Sequence, residues 1–152
     1  MATSQRDADW VVKVIDVFPD DAPDHPHLRP GKHMGGYQMM VRSEVLRGRY
    51  REGYERARPF SPGQATALKV PLQDVLHTFK AGHRVMIQIQ STWFPLVDRN
   101  PQRWVDNIFK ARDDDFTAAT HTVHRSARWP SRIEVGVLAG GEGGQAEPAA
   151  AR

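Results

Sequence analysis

The densest set of chemistry-bearing side chains runs Gln88-Ile-Gln-Ser-Thr-Trp-Phe-Pro-Leu-Val-Asp-Arg-Asn-Pro101. An apolar, alternating run ends at the aromatic pair Trp93 and Phe94, stops at Pro95, and continues into Asp98, Arg99 and Asn100. Asn100 precedes a proline and is therefore kept out of the right-handed helical region, so this stretch is a shaped loop. Asp98 and Arg99 carry opposite charges that either staple the loop or face a partner. The chemistry on offer is recognition and packing rather than bond-making. None of the six serines lies in a Gly-x-Ser-x-Gly nucleophile elbow. There is no His-Glu-x-x-His zinc helix. There is also no phosphate-binding Gly-x-x-x-x-Gly-Lys-Ser/Thr loop, since Pro26 stands where the first glycine before Gly31-Lys32 would be.

Seven histidines raise the question of metal. His25, His27 and His33 fall in one loop, but no ligand spacing characteristic of a metal site accompanies them, and an exposed polar loop is the expectation. His121 and His124 would point to opposite faces of a strand. Asp113-Asp114-Asp115 lacks the alternating oxygen ligands and turn glycine of a helix–loop–helix calcium site, and reads instead as the acidic start of a short helix. Neither a metal nor a cofactor is expected. Trp93, Phe94, Trp104 and Trp129 could stack on a ligand, although large aromatics at strand ends more often fill a core or an interface. Residues 42–58 hold six arginines against three glutamates. That run reads as a solvated strand end and loop rather than a polyanion site, and no nucleic-acid partner is expected.

The elements that must position these groups are strands. In residues 10–18, Val11, Ile15 and Val17 share one face and Trp10, Val12 and Val14 the other, the pattern of a strand buried inside a sandwich. Residues 37–46 alternate, with Tyr37, Met39, Val41 and Val45 on one side. Leu68, Val70 and Leu72 form a third alternating set, Val85, Ile87 and Ile89 a fourth, and Ile133, Val135 and Val137 a fifth. Residues 121–126 are a weaker sixth candidate. Turn-rich segments separate these runs, among them Pro19-Asp-Asp-Ala-Pro, Pro59-Phe-Ser-Pro-Gly63 and Lys80-Ala-Gly-His83. Helix is limited to one turn near 74–80 and a short stretch at 113–119. Many short strands without long intervening helices favour an all-β sandwich over a parallel α/β sheet.

The chain has 152 residues, no cysteine and a formal charge of +3. It is long enough for one domain, excludes disulfides and thiolate catalysis, and has a charge ordinary for solubility. No apolar run reaches the ~20 residues of a membrane helix, so no membrane association is expected. The start lacks an apolar signal region, which makes a cytoplasmic location the default expectation. Residues 1–8 and the small, polar stretch 139–152 read as disordered ends flanking a domain at 9–138.

Four stretches taken in order resemble one family. They are Asp9-Trp-Val-Val-Lys-Val-Ile-Asp-Val-Phe-Pro-Asp20, Met34-Gly-Gly-Tyr-Gln-Met-Met-Val-Arg-Ser-Glu-Val-Leu-Arg-Gly-Arg-Tyr-Arg51, Phe79-Lys-Ala-Gly-His-Arg84 and Trp93-Phe-Pro-Leu-Val-Asp-Arg-Asn-Pro101. Together they resemble the C-terminal jelly-roll domain of the cocaine esterase and X-Pro dipeptidyl-peptidase family of serine hydrolases, nearest the α-amino acid ester hydrolase and glutaryl acylase branch. The resemblance implies a jelly-roll-like β-sandwich with one or two short helices, lacking its first strands because few residues precede Asp9. It also implies a non-catalytic role. In such hydrolases a separate α/β-hydrolase domain carries the Ser, Asp and His triad, and the sandwich packs on it and helps wall the cleft.

No triad position falls in the matched stretch, so the chain alone is expected to be inactive. Trp93, Phe94 and Pro95 are the candidates for packing, and Asp98, Arg99 and Asn100 for shaping the loop near the cleft. Missing strands would leave an open sheet edge and invite self-association. The competing expectation is a stand-alone carbohydrate- or ligand-binding sandwich that uses its tryptophans.

Overall fold

The computed structural model describes residues 1–138, and the expected tail at 139–152 lies outside them. The fold is an all-β sandwich built from antiparallel pairs. Among the described residues five strands are present: β1 (Ala2–Thr3), β2 (Asp9–Val17), β3 (Gln38–Arg47), β4 (Arg84–Gln90) and β5 (His121–Thr122). One sheet has the order β3-β2-β4 and the other pairs β1 with β5. Among the described residues helix is confined to three single 3-10 turns at Gly48–Tyr50, Ile108–Lys110 and Asp113–Asp115. The acidic start read at 113 is thus a single tight turn, and no helix forms at 74–80.

β2 is central because both its faces are apolar. Trp10 and Val11 are each 1% exposed, and Ile15 and Val17 are also buried. Its partners run antiparallel on either side, Trp10 opposite Leu46 and Val12 opposite Ile89. The face bearing Trp10 packs against Ala8, Phe60, Leu46, Leu68, Ile89 and Met1. Val14 pairs with Arg42 but Ile15 with Met40, so Val41 is an extra residue in β3. This bulge reverses the side-chain alternation. Met39 lies opposite Asp16 and Val45 opposite Val11, so the single apolar face expected for Tyr37, Met39, Val41 and Val45 is divided between the two sides of the sheet.

Two other expectations are corrected. Residues 1–8 are not disordered. Ala2 and Thr3 pair with Thr122 and His121, the Met1 amino group donates to the Thr66 carbonyl (2.8 Å), and Phe60 N–H donates to the Arg6 carbonyl (2.8 Å). Their polar side chains conceal a backbone tied by hydrogen bonds to distant segments near residues 48, 60–66, 102 and 120–122. The runs at 68–72 and 133–137 are not strands. Leu68, Val70 and Leu72 still turn inward while Ala67, Lys69 and Pro71 face out. Ile133, Val135 and Val137 are instead 56%, 74% and 83% exposed. Neither run has a neighbouring strand among the described residues, and alternation without a partner makes no ladder.

Gly48 joins β3 to the first 3-10 turn and donates its N–H to the Ala8 carbonyl (2.9 Å). A Cβ here would collide with that carbonyl oxygen and with the Phe60 ring. Gly48→Ala should therefore destabilise by about 1–3 kcal/mol in urea unfolding, whereas Gly136→Ala, with open space around it, should leave the midpoint unchanged.

Candidate docking site

The loop that follows β4 holds the site residues singled out in the sequence. Thr92 Oγ1 accepts from Phe94 N–H (3.4 Å), Val97 N–H donates to the Trp93 carbonyl (3.0 Å), and the Phe94–Pro95 peptide is cis. Trp93 is half-buried because the ammonium of Lys13, on β2, sits 4.0 Å above its ring. With Trp93 held inward, Phe94 and Leu96 stand out at 62% and 69% exposed, and Pro95 between them is also exposed.

Asp98, Arg99 and Asn100 do three different things. The Asp98 carbonyl accepts from Arg47 Nη1 at 3.3 Å. Arg99 pairs with no carboxylate among the described residues; its guanidinium lies over the rings of Phe116 (4.8 Å) and Phe94 (5.6 Å). The charge-staple reading of Asp98 and Arg99 is therefore replaced by a cation–π stack. Asn100 is buried. Its Nδ2 donates to Asp9 Oδ1 (2.9 Å) and its Oδ1 accepts from Gln102 N–H (2.7 Å), which fixes the loop's exit.

Beneath the loop is a network of buried charge that sequence reasoning missed. Asp7 is fully buried and receives Nε and Nη2 of Arg49 at 2.8 and 2.6 Å. Arg49 also donates to the Val105 carbonyl (2.8 Å) and lies 4.5 Å from the Trp104 ring. Asp9 receives Arg47 Nη1 at 2.7 Å. Burial pushes the Asp9 carboxyl above its ordinary value, and the Arg47 charge and the Asn100 hydrogen bond only partly offset this. At the other end of β2, Asp16 accepts from His77 Nε2 (2.9 Å) and His83 Nδ1 (2.7 Å). Burial pushes the Asp16 carboxyl up, but the two imidazoles outweigh it and hold it below the ordinary value.

A sequence signal did exist for part of this. Asp16 is the acidic residue in the otherwise apolar Trp10, Val12, Val14 face, and a carboxylate there requires a partner. The arginine run was read as solvated, yet Arg49 and Arg51 have side chains only 5% and 11% exposed.

The other candidates do not converge. His33 pairs with Asp24 (2.8 Å) on the surface. Among the described residues no group of three His, Cys, Asp or Glu side chains is placed to hold a metal ion. The tryptophans form no common stacking surface: Trp10 is buried, Trp93 and Trp104 each carry a cation on the ring, and Trp129 is stacked by Arg128.

Residues 1–134 match the family model described as the X-Pro dipeptidyl-peptidase C-terminal non-catalytic domain. The chain belongs to this family. Three relatives agree with this X-Pro dipeptidyl-peptidase C-terminal domain. An aminopeptidase from a marine sediment Thaumarchaeota archaeon superposes with a TM-score of 0.77 at 48% identity, over 85% of this chain and 20% of its own. An α-amino acid ester hydrolase superposes with a TM-score of 0.70 at 46% identity, over 78% and 18%. The cocaine esterase of Rhodococcus sp. (strain MB1 Bresler) is 25% identical over 138 residues, covering 91% of this chain and 21% of that protein. The chain thus spans about a fifth of the length of the relatives it matches.

Two outcomes follow for the buried charges of this domain. Arg49→Met leaves the Asp7 carboxylate buried and unpaired, and should cost about 3–5 kcal/mol in urea unfolding. Adding Asp7→Leu to Arg49→Met removes the orphaned charge and should recover much of that loss. For Asp16 the folded carboxyl lies below its ordinary 3.8, so it stabilises the fold above that pH and loses this contribution as pH falls through the lowered value. The stability gap between wild type and Asp16→Asn should be full near neutrality and shrink in acid below pH 3.8, measured by denaturation across a pH series.

Proposed function

We propose that this chain is the accessory β-sandwich of a serine hydrolase of the X-Pro dipeptidyl-peptidase and α-amino acid ester hydrolase type. It packs on a separate α/β-hydrolase domain and shapes the wall of that domain's cleft, while the triad and all bond-making belong to the hydrolase domain. The observation that carries this reading is the family match over residues 1–134, in relatives about five times as long as the matched segment. The packing surface is the loop 93–100, with Phe94, Pro95 and Leu96 as its apolar front and Asp98, Arg99 and Asn100 as its support.

Exposed Phe94 and Leu96 next to each other on a rigid loop are the kind of anchor that fills a pocket in a partner. Arg99 gives the front a cationic flank. The two outer strands of the three-stranded sheet, β3 and β4, present edges on which a second copy of the chain is the alternative occupant.

The test uses a relative's hydrolase core from which its own C-terminal domain has been removed. This chain should bind that core, raise its thermal midpoint, and show no hydrolysis of amino acid esters or X-Pro dipeptide substrates by itself. Replacing both Phe94 and Leu96 by alanine should weaken the complex by roughly one to two orders of magnitude while the far-ultraviolet spectrum stays unchanged. Failure to bind, or binding indifferent to the two alanines, would overturn the assigned surface. Turnover by the chain alone that survives repurification and yields to a serine-directed inhibitor would overturn the non-catalytic role.

A further inference from the structure

The two outer strands of the β3-β2-β4 sheet are not equally guarded against pairing with another strand. β3 is bulged at Val41 and bears Arg42, Glu44 and Arg47. It also has the backbone of residues 73–74 held against it, since Arg42 donates to the Gln73 and Asp74 carbonyls (2.9 and 2.8 Å). Bulges, charges and a covering segment are the usual guards of a sheet edge. β4 has neither bulge nor proline, and its one charged residue is Arg84 at its first position. Its outer edge is open among the described residues, and Val85 is 57% exposed. We propose that two copies of the chain join at this edge, each adding its residues 132–138 as a strand antiparallel to β4 of the other.

The segment and the edge are complementary residue by residue. Residues 132–138 read Arg-Ile-Glu-Val-Gly-Val-Leu, and β4 reads Arg-Val-Met-Ile-Gln-Ile-Gln. Both have β-branched residues at their second, fourth and sixth positions, the composition that suits a pleated strand. The backbone of 132–138 makes no hydrogen bond among the described residues, and Ile133, Val135 and Val137 stand exposed. An antiparallel register with Ile133 opposite Ile89 sets Val135 opposite Ile87 and Val137 opposite Val85, three aliphatic cross-strand pairs. Ile89 and Ile87 already lie opposite Val12 and Val14 of β2, on the Trp10 side of the sheet, so the added side chains extend that apolar face. The charges agree as well. Arg132 falls opposite Gln90 and Leu138 opposite Arg84, which keeps the two arginines at opposite ends of the ladder. Glu134, whose carboxylate takes Arg132 Nε at 2.6 Å, falls opposite Gln88. No like charges meet.

Both halves of this pairing belong to one chain, which makes a second copy the occupant. Within a single chain the segment is not paired with its own β4. Reciprocal exchange between two copies forms two identical ladders about a two-fold axis and uses both β4 edges, so assembly stops at the dimer. One-way donation would leave a free edge at one end and a free segment at the other, and would grow a filament. The dimer requires neither the loop 93–100 nor a hydrolase domain, so its absence would leave the accessory role standing.

The experiment is light scattering on the full chain as it leaves a sizing column, loaded from micromolar to near-millimolar concentration with no hydrolase core present. The wild type should pass from monomer to dimer as concentration rises and go no further. Val135→Pro removes an N–H from the added strand at an exposed position, and should raise the dimer dissociation constant at least about tenfold with the far-ultraviolet spectrum unchanged. Val85→Lys places a charge on the β4 edge and should act in the same direction. Because the chain has no cysteine, the register can be read by cross-linking. Val85→Cys and Val137→Cys chains, mixed and mildly oxidised, should form the mixed disulfide well above either like pair. This comparison decides the matter even if Val135→Pro fails to fold. A monomer at every concentration, a dimer indifferent to both Val135→Pro and Val85→Lys, or mixed and like disulfides in equal yield would overturn the proposal. Growth past the dimer would overturn the reciprocal exchange. Protection of residues 132–138 from hydrogen exchange only when a relative's hydrolase core is added would assign the strand to that core and overturn the second copy as its occupant.

Discussion

Three carboxylates enter the interior along β2 and the segment leading into it. Asp7, Asp9 and Asp16 are at most 3% exposed, and an unpaired carboxylate at that depth would cost several kcal/mol or refuse to ionise. Each is answered from a different and distant part of the chain. Asp7 takes Arg49, Asp9 takes Arg47 and Asn100, and Asp16 takes His77 and His83. A buried pair adds little net stability over an apolar pair of the same shape, but it is intolerant of misplacement, because a partner moved away leaves a bare charge behind. The central strand thus dictates where the end of β3, the loop after β4 and the segment before β4 must lie. The hydrophobic core named by Trp10, Ala8 and Phe60 is small, so these polar commitments carry a large share of the specification.

The loop at 93–100 is tied to β2 at both of its ends. Lys13, on β2, holds Trp93 down at the entrance, and Asn100, answering Asp9, holds the exit. Between these two anchors Trp93 is half-buried, whereas Phe94 and Leu96 are exposed. Arg99 then stacks on Phe94 and Phe116, which stiffens the exposed ring without covering it.

What the sequence disclosed, and what it did not, follows from the range of each interaction. β2, β3 and β4 were legible because alternation and β-branched residues are local signals, and each run found a neighbour. Leu68 to Leu72 carries the same signal and forms no strand, since a ladder needs a partner that alternation cannot announce. The bulge at Val41 was hidden because one extra residue leaves the letters alternating while the faces exchange. Residues 1–8 read as disordered because composition reports side chains, whereas the segment is held mostly by its backbone, with Asp7 also bound through its carboxylate to Arg49. The arginine run looked solvated for a related reason: charge counting cannot separate Arg49, sealed against Asp7, from Arg56 on the surface. Trp93, Phe94 and Asn100 were found through loop chemistry alone. Their physical roles differ, and only the geometry separates the tethered ring, the exposed ring and the buried amide.

An exposed apolar surface has to be explained where it is contiguous, not where it is scattered. Phe94 and Leu96 flank an exposed proline, and Ile133, Val135, Val137 and Leu138 lie exposed along one extended segment. A fold that satisfies three buried carboxylates to within 3 Å, yet leaves such runs exposed, is not short of packing precision. It buries charge within itself and leaves apolar side chains exposed. That division suits a domain whose relatives use it as one fifth of a larger chain. A surface built in the reverse way, with charges outside and every apolar group within, would fold as well but would have nothing with which to hold a neighbour.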